Sequence, residues 1–157
     1  MELERARKIA DEVVKRLSPY CSKIEVAGSI RRKKPTVNDI DLVLVPSDPW
    51  NFNAELKKLG QVKVSGQKII RVMTGSTQLD IYVADENTWA TLLLIRTGSA
   101  ENNIRLASKA KKQGWHLAAS GEGLFDATGV RIAGDTEYSI YKALGLTWQL
   151  PEEREVK

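Results

Sequence analysis

The pattern of apolar and polar positions along the chain predicts a succession of helices and strands. Residues 3–17 carry apolar side chains at helical spacing, which predicts an amphipathic helix that ends at a Ser-Pro pair. Residues 40–45 are almost entirely apolar, which is typical of a strand buried on both faces. The pattern also predicts a strand over 23–28 and a short helix over 53–60.

The second half of the chain continues in the same way. Two β segments, 62–74 and 77–84, are joined by Gly75-Ser76, which predicts a hairpin. The remaining elements are expected to be helices over 86–98, 99–114 and 136–144, with short strands near 115–117, 123–126 and 130–132. The pattern therefore predicts an α+β fold in two lobes.

Composition agrees with an ordinary globular domain. The chain has 157 residues, 42% of them hydrophobic and 28% charged, which is enough for two lobes sharing a core. No apolar run approaches the roughly 20 residues of a membrane helix, and no signal-peptide pattern opens the chain. A cytoplasmic location without a membrane partner is therefore expected. The single cysteine excludes an internal disulfide.

The charge distribution is more informative than the net charge of +4. Cations cluster at 31–34 and again at 105–112, whereas acids gather at 152–155. Each basic cluster suits either a solvated face or an anionic partner, and charge alone does not separate the two. Neither the G-x-G-x-x-G fingerprint nor the P-loop motif is present, so the common dinucleotide and phosphate loops are excluded.

Two acids stand one residue apart at the start of the apolar strand. Side chains at i and i+2 of a strand point to the same face, so Asp39 and Asp41 are expected to lie side by side. Like charges so placed repel each other. A turn would explain the pair, but Mg²⁺ also takes such carboxylates together with phosphate oxygens.

Neighbouring residues favour the metal hypothesis. Gly28-Ser29 follows a predicted strand, where free backbone N–H groups and a hydroxyl can contact phosphate. Arg31 and Arg32 come next and could neutralise a triphosphate. A third acid should come from a neighbouring strand, and Asp80, flanked by apolar residues, is the candidate.

Three segments in order resemble the family X DNA polymerases, the DNA polymerase beta type within the nucleotidyltransferase superfamily. These segments are "AGSIRRKKPTVNDIDLVL", "TGSAENNIRLASKAKKQGW" and "DTEYSIYKALGLTWQLPEERE". The resemblance implies a nucleotidyltransferase palm with a mixed β-sheet and helices in residues 1–86, followed by a small α+β thumb in residues 87–157. It implies a minimal palm-plus-thumb form without lyase activity.

The resemblance also assigns roles to individual residues. Asp39 and Asp41 would hold two Mg²⁺ ions, for which Mn²⁺ may substitute, and Asp80 would ligate the catalytic metal and activate the primer 3′-hydroxyl. The residues implied to bind the incoming nucleotide are Gly28, Ser29, Arg32, Thr97, Gly98, Ser99 and Asn103. The family often has a cis Gly-Ser peptide at the Thr-Gly-Ser segment. The residues implied to face DNA are Lys33, Lys34, Arg105 and Lys109.

The activity that the resemblance implies is template-directed DNA synthesis, with short-gap filling in DNA repair as the expected setting. The partners would be a primer–template or gapped duplex and a dNTP, and a monomer is expected. Ile95-Arg96 replaces the family's aromatic pair, which leaves sugar selectivity open. The alternatives are a transferase with another acceptor, a template-independent terminal transferase and a non-catalytic DNA-binding module. The presence of all three acids counts against the last of these.

Overall fold

The computed structural model describes residues 1–155; the last two residues of the predicted thumb, 156 and 157, lie outside the described residues. The helices within the described range are α1 (Leu3–Leu17), α2 (Gly28–Arg31), α3 (Pro49–Leu59), α4 (Trp89–Thr97), α5 (Ala100–Lys112) and α6 (Glu137–Ala143). The strands are β1 (Cys21–Val26), β2 (Ile40–Pro46), β3 (Gln61–Ser65), β4 (Ile69–Thr74), β5 (Thr77–Val83), β6 (His116–Ala118), β7 (Gly123–Phe125) and β8 (Arg131–Ala133). Short 3₁₀ turns lie at Ser18–Tyr20 and Pro151–Glu153.

The first sheet has five strands in the order β1-β2-β5-β4-β3. Strands β2 and β5 run parallel, whereas the other neighbours in the sheet are antiparallel. The predicted mixed sheet of an α+β protein is therefore confirmed. The parallel pair matters most for the site, because it places the start of β2 beside β5.

Strand β2 is apolar because helices cover both of its faces. Leu42 and Leu44 belong to a core formed with α1 and α3 on one face of the sheet. Val43 and Val45 pack on the opposite face with apolar residues of α4. Helix α1 fits this core because its buried positions, Ala6, Ala10, Val13 and Leu17, form one stripe at helical spacing.

The second sheet is smaller, with the order β6-β7-β8. It packs with α5 and α6 around a second core, whose buried members are Leu94, Leu106, Ala110, Leu117, Leu124, Ile140, Tyr141 and Leu144. Helix α4 contributes to the cores on both sides, since Leu93 packs toward β2 and Leu94 toward α5 and α6. Helix α4 therefore joins the two sheets.

Most predicted elements are present, but several differ in extent. Gly28, predicted as the end of a strand, begins α2, and the helix predicted over 86–98 begins at Trp89. The prediction of one continuous β segment over 62–74 is wrong. The segment divides into β3 and β4 around a turn, where the Gly66 N–H donates to Ile69 O at 2.9 Å. Helix α3 begins at Pro49, earlier than predicted, because the Asp48 side chain caps it by accepting from Asn51 N at 3.3 Å. Across residues 1–155, none of the helices combines the length and apolar character needed to cross a membrane.

Candidate active site

A cleft of about 460 Å³ lies where α2, the start of β2, the end of α4 and the start of α5 meet. Its lining residues come from distant parts of the sequence: Gly28, Ser29, Arg32, Lys34, Thr36, Asn38, Asp39, Asp41, Tyr82, Ile95, Arg96, Gly98, Ala100 and Asn103. A groove of about 700 Å³ between α3 and β3 is larger, but the residues lining it in the described chain include no acid. The convergence of acids and cations therefore singles out the smaller cleft.

The three predicted catalytic acids are brought together by the parallel pair of strands. Asp41 on β2 lies in register with Asp80 on β5, and Asp39 precedes β2 by one residue. Asp39 and Asp41 line the cleft, as the i, i+2 spacing predicts. Asp80 is only 6% exposed and is absent from the residues lining this cleft.

Burial and like charges perturb the acid at the centre of this group. Desolvation raises the pKa of Asp41 to about 7, and the charges of Asp80 and Asp39 act in the same direction. Arg96 and Arg32 oppose the shift without cancelling it. The carboxylate cluster is therefore short of positive charge, which is the condition that a bound cation relieves.

Asp80 is already engaged by its neighbours in the sheet. Arg71 on β4, directly opposite in the antiparallel register, donates from Nε to Asp80 Oδ1 at 2.8 Å. Gln78 donates from Nε2 to both carboxylate oxygens at 3.3 and 3.2 Å. Sequence reasoning missed both residues. The β4–β5 register that brings Arg71 to Asp80 becomes visible only when the hairpin is formed, whereas the i, i+2 spacing of Gln78 and Asp80 on β5 is a signal that could have found Gln78.

Gly28 forms the wall of the cleft next to these acids. It begins α2 with φ of +59°, and a Cβ built on it would overlap the Oδ2 atom of Asp41. Ser29 follows and lines the same cleft. A residue without a side chain is therefore required here for two reasons, the positive φ and the close approach of the carboxylate.

The paired arginines after Ser29 contact the distal part of the chain. Arg31 donates to both carboxylate oxygens of Glu137 on α6, at 2.7 and 2.9 Å, and to Thr97 Oγ1 at 2.8 Å. Arg32 lines the cleft and donates from Nε to Glu155 Oε1 and from Nη1 to Thr97 O, each at 2.6 Å. The guanidinium predicted to meet phosphate is thus shared with a carboxylate.

Glu137 is the buried acid that sequence reasoning overlooked. Burial would raise its pKa, but hydrogen bonds from Arg31 and the charge of Arg154 outweigh that effect, and the pKa is lowered. Arg154 is fully buried and donates from Nη1 to Glu137 Oε1 at 3.1 Å. Arg31 and Glu137 are 106 residues apart along the chain, so no local pattern reveals the pair.

The Thr97-Gly98-Ser99 segment connects α4 to α5, and its Gly98–Ser99 peptide bond is cis. Gly98 lines the cleft. The side chains of its neighbours are buried and engaged within the fold: the Thr97 hydroxyl donates to Leu93 O at 2.6 Å, and the Ser99 hydroxyl donates to Arg154 O at 2.8 Å. Contact with a ligand at this segment would therefore involve Gly98 and the backbone.

The first turns of α5 place one of the predicted residues in the cleft and another outside it. Asn103 lines the cleft and donates from Nδ2 to Ile95 O at 2.8 Å, while its buried Oδ1 accepts no hydrogen bond from the described residues. Arg105 instead donates to Asn102 Oδ1 at 3.0 Å and to Gln149 Oε1. Arg105 therefore ties α5 to the C-terminal segment.

The lysines predicted to contact DNA differ in their surroundings. Lys33 lies 3.4 Å from Glu152, and Lys34 lies 3.9 Å from Glu155, so both face acids of the C-terminal segment. Lys109 is exposed on α5. The basic cluster at 31–34 is consequently an internal contact surface as well as a candidate anion site.

The carboxylates at the cleft are the candidate ligands for the metal that the sequence implies. Within residues 1–155, no three His, Cys, Asp or Glu side chains are grouped so that they could hold a metal ion. The Asp80 carboxylate accepts from Arg71 at 2.8 Å. Asp39 and Asp41 still offer hard oxygen donors at the cleft, and phosphate oxygens of a ligand could complete the coordination. Two carboxylates of this kind fit Mg²⁺.

The chain is similar in sequence to known DNA polymerases. The DNA polymerase beta thumb profile matches residues 92–155. The chain is 30% identical to the DNA polymerase/3′-5′ exonuclease PolX of Bacillus subtilis (strain 168) across 96% of its own length and 28% of that protein. It is 30% identical to a repair DNA polymerase X of African swine fever virus, across 83% of its own length and 80% of the viral protein.

A third relative has a eukaryotic source. The chain is 31% identical to DNA polymerase lambda of Rattus norvegicus, over 82% of its own length. It spans 28% of the length of both the rat and the bacterial relative. All three relatives are DNA polymerases by name, and the α+β fold is consistent with the thumb match. The chain belongs to the family X DNA polymerases.

Proposed function

We propose that this chain catalyses template-directed addition of nucleotides to a DNA 3′-hydroxyl, as in short-gap filling during DNA repair. One observation carries the proposal: Asp41 and Asp80 lie in register on parallel strands, and Asp39 and Asp41 line a cleft together with Gly28 and Arg32. The relatives are named as DNA polymerases, and the viral one as a repair polymerase. The proposed partners are a primer–template or gapped duplex and a dNTP.

The reaction would form a bond between the primer 3′-oxygen and the α-phosphorus of the dNTP and break the bond to the departing pyrophosphate. Asp39 and Asp41 would hold two Mg²⁺ ions, or Mn²⁺ in their place. When bound, such ions neutralise charge that develops on the attacking and leaving oxygens. Asp80 would accept the proton of the 3′-hydroxyl at its carboxylate, in competition with the hydrogen bond that Arg71 donates to Oδ1.

The remaining cleft residues would orient the nucleotide. Ser29 and Arg32 would contact phosphate oxygens, with Arg32 exchanging its Glu155 partner for phosphate. Gly98 and its neighbouring backbone would lie against the sugar, and the Asn103 amide would meet the base or sugar edge. Holding the reactants in this way lowers the entropic part of the barrier.

Lysines near the cleft and on α5, together with Arg105, would hold the DNA backbone. Lys109 is exposed and free to reach phosphate, whereas Lys33 and Lys34 would have to leave their acidic partners. Arg105 would act from its position between Asn102 and Gln149. Since phosphate contacts release counterions, DNA affinity should fall steeply as the salt concentration rises.

The deciding experiment is primer extension on a duplex with a one-nucleotide gap, in Mg²⁺ or Mn²⁺, with dNTPs compared with rNTPs. Asp80→Asn should lower the rate by more than about a hundredfold while leaving DNA affinity unchanged. A primer without template is the control for terminal transfer. Addition to a primer without template would indicate a terminal transferase instead. DNA binding without any extension would indicate a non-catalytic DNA-binding module.

A further inference from the structure

The carboxylate of Asp80 is bonded to the guanidinium of Arg71, which belongs to none of the sequence motifs described above. Arg71 Nε lies 2.8 Å from Asp80 Oδ1, and Gln78 Nε2 lies within 3.3 Å of both carboxylate oxygens. These contacts bind the same oxygens that a metal ion or a primer hydroxyl would need. The two side chains therefore compete with a metal ion or a primer hydroxyl for the carboxylate, although Oδ2 keeps a second acceptor position.

The two partners differ in their freedom to move. The Asp80 side chain is 9% exposed, and its backbone lies inside the sheet between β2 and β4. The Arg71 side chain is 39% exposed and reaches Asp80 across the β4–β5 pair. A long guanidinium side chain can swing into solvent, whereas a short carboxylate in a central strand cannot. Separation of the pair would therefore occur by movement of Arg71.

The charges around the cluster favour such an exchange. Three carboxylates, Asp39, Asp41 and Asp80, are close enough to act on one another, so a cation beside them is held strongly. Arg71 supplies one unit of positive charge at this place through the hydrogen bond to Asp80. A divalent ion supplies two units and takes oxygen ligands from more than one carboxylate at once.

We propose that Arg71 is a positioning residue that occupies Asp80 as a counter-cation in the nucleotide-free protein and is displaced when a divalent cation binds. The inference rests on the proposed function, because it concerns the same acids. In this role Arg71 weakens metal binding by the free protein. It also keeps the buried Asp80 carboxylate paired until the substrate complex forms.

The test measures Mn²⁺ binding by the free protein, without DNA or nucleotide, by electron paramagnetic resonance. Arg71→Gln should lower the Mn²⁺ dissociation constant about tenfold, since it removes the competing charge from an interacting network. Arg71→Lys, which keeps a cation but not the Nε–H geometry, should lower it about threefold. Combining Arg71→Gln with Asp80→Asn should abolish the gain, which localises the effect at Asp80.

Arg16→Gln is the matched control. Arg16 bonds Glu55 through Nε at 2.9 Å and is 34% exposed, so it resembles Arg71 in geometry but belongs to α1. Its replacement should leave Mn²⁺ binding unchanged. In the presence of EDTA, Arg71→Gln should lower the melting temperature more than it does with saturating Mn²⁺, because the metal replaces the missing cation.

The outcomes separate this inference from the proposed function. Unchanged or weaker Mn²⁺ binding by Arg71→Gln, with wild-type primer extension still dependent on Asp80, would overturn the role of Arg71 and leave the polymerase proposal standing. If the wild-type protein neither binds Mn²⁺ nor extends a primer under any condition, both proposals fall. Arg71→Lys serves as the reporter if the Gln variant does not fold.

Discussion

At the scale of single residues, the cleft depends on a position where no side chain fits. Gly28 has φ of +59° and lies against the carboxylate of Asp41. Gly75 has a nearly equal φ of +61°, but a Cβ there would meet nothing within 4 Å. Substitutions at Gly28 and Gly75 therefore separate the free-energy cost of the backbone conformation from the cost of crowding the Asp41 carboxylate.

We expect Gly28→Ala to reduce primer extension strongly and to destabilise the fold by more than the backbone cost alone. Gly75→Ala should cost about 1 kcal/mol of unfolding free energy, the usual price of a left-handed Ala, and leave extension intact. Denaturant unfolding and single-turnover extension measure both effects. Equal loss of stability in the two variants would contradict the proposed contact between Gly28 and Asp41.

A second prediction concerns the proton on Asp41. Burial raises the pKa of Asp41 to about 7 in the folded protein, above the ordinary value of 3.8. The folded state therefore binds more protons than the unfolded state between these values, and its stability falls as the pH rises from about 4 to about 7. The stabilisation of the folded state by protonated Asp41 is complete below pH 4 and lost above pH 7.

The measurement is the unfolding free energy of the metal-free protein between pH 4 and 8, compared with Asp41→Asn. The wild-type curve should fall relative to the variant by up to about 1.4 kcal/mol per pH unit in this window. Parallel curves would show that Asp41 ionises normally. Mn²⁺ affinity should rise over the same range, because the ion binds the deprotonated carboxylate.

At the scale of elements, α2 is a short helix that one ion-pair network connects to α6. Arg31 on α2 and the fully buried Arg154 both bond Glu137, whose side chain is 10% exposed. The network also reaches α4 through Thr97. The orientation of α2, and with it the Gly28-Ser29 wall of the cleft, is therefore set by an acid outside the cleft.

Glu137→Ala should destabilise the protein by about 3 kcal/mol, because two cations would be left without their buried partner. The control is Asp135→Ala, which removes an ion pair with Arg131 in which the acid is 88% exposed and should cost less than about 1 kcal/mol. Thermal and denaturant unfolding provide the comparison. A cost for Glu137→Ala no larger than the control would mean that the network is effectively solvated.

At the scale of the whole molecule, the basic cluster at 31–34 faces the acidic end of the chain. Glu155 bonds Arg32, and Glu152 lies beside Lys33. A carboxylate therefore occupies a guanidinium that is proposed to bind phosphate. In the proposed complex, carboxylate and triphosphate would compete for the same donor, so a residue 123 positions away along the chain would influence nucleotide affinity.

Glu155→Gln should tighten dNTP binding about three- to tenfold, because Arg32 would no longer be shared with a charged partner. Isothermal titration with Mg²⁺ and one dNTP measures the change, and Glu101→Gln, which replaces an exposed acid on α5, is the control. The effect should diminish as the salt concentration rises. Weaker binding by Glu155→Gln would show that Glu155 positions Arg32 for the nucleotide.

The local sequence determined much of this protein. The apolar stripe of α1 and the buried strand β2 are visible in the sequence because each follows from the period of its own element. The closeness of Asp39 to Asp41 follows from their spacing in the same way. The apolar surroundings of Asp80 were enough to single it out as the third acid, and its register with Asp41 agrees with that expectation.

Only the tertiary structure decided which charges meet. Arg71 reaches Asp80 through the β4–β5 register, and Glu137 and Glu155 reach the paired arginines across more than 100 residues of sequence. A sequence shows which side chains can form ion pairs, but the choice among them depends on distances and burial. Those quantities arise when the sheets and helices pack, because only packing removes water and fixes which opposite charges are neighbours.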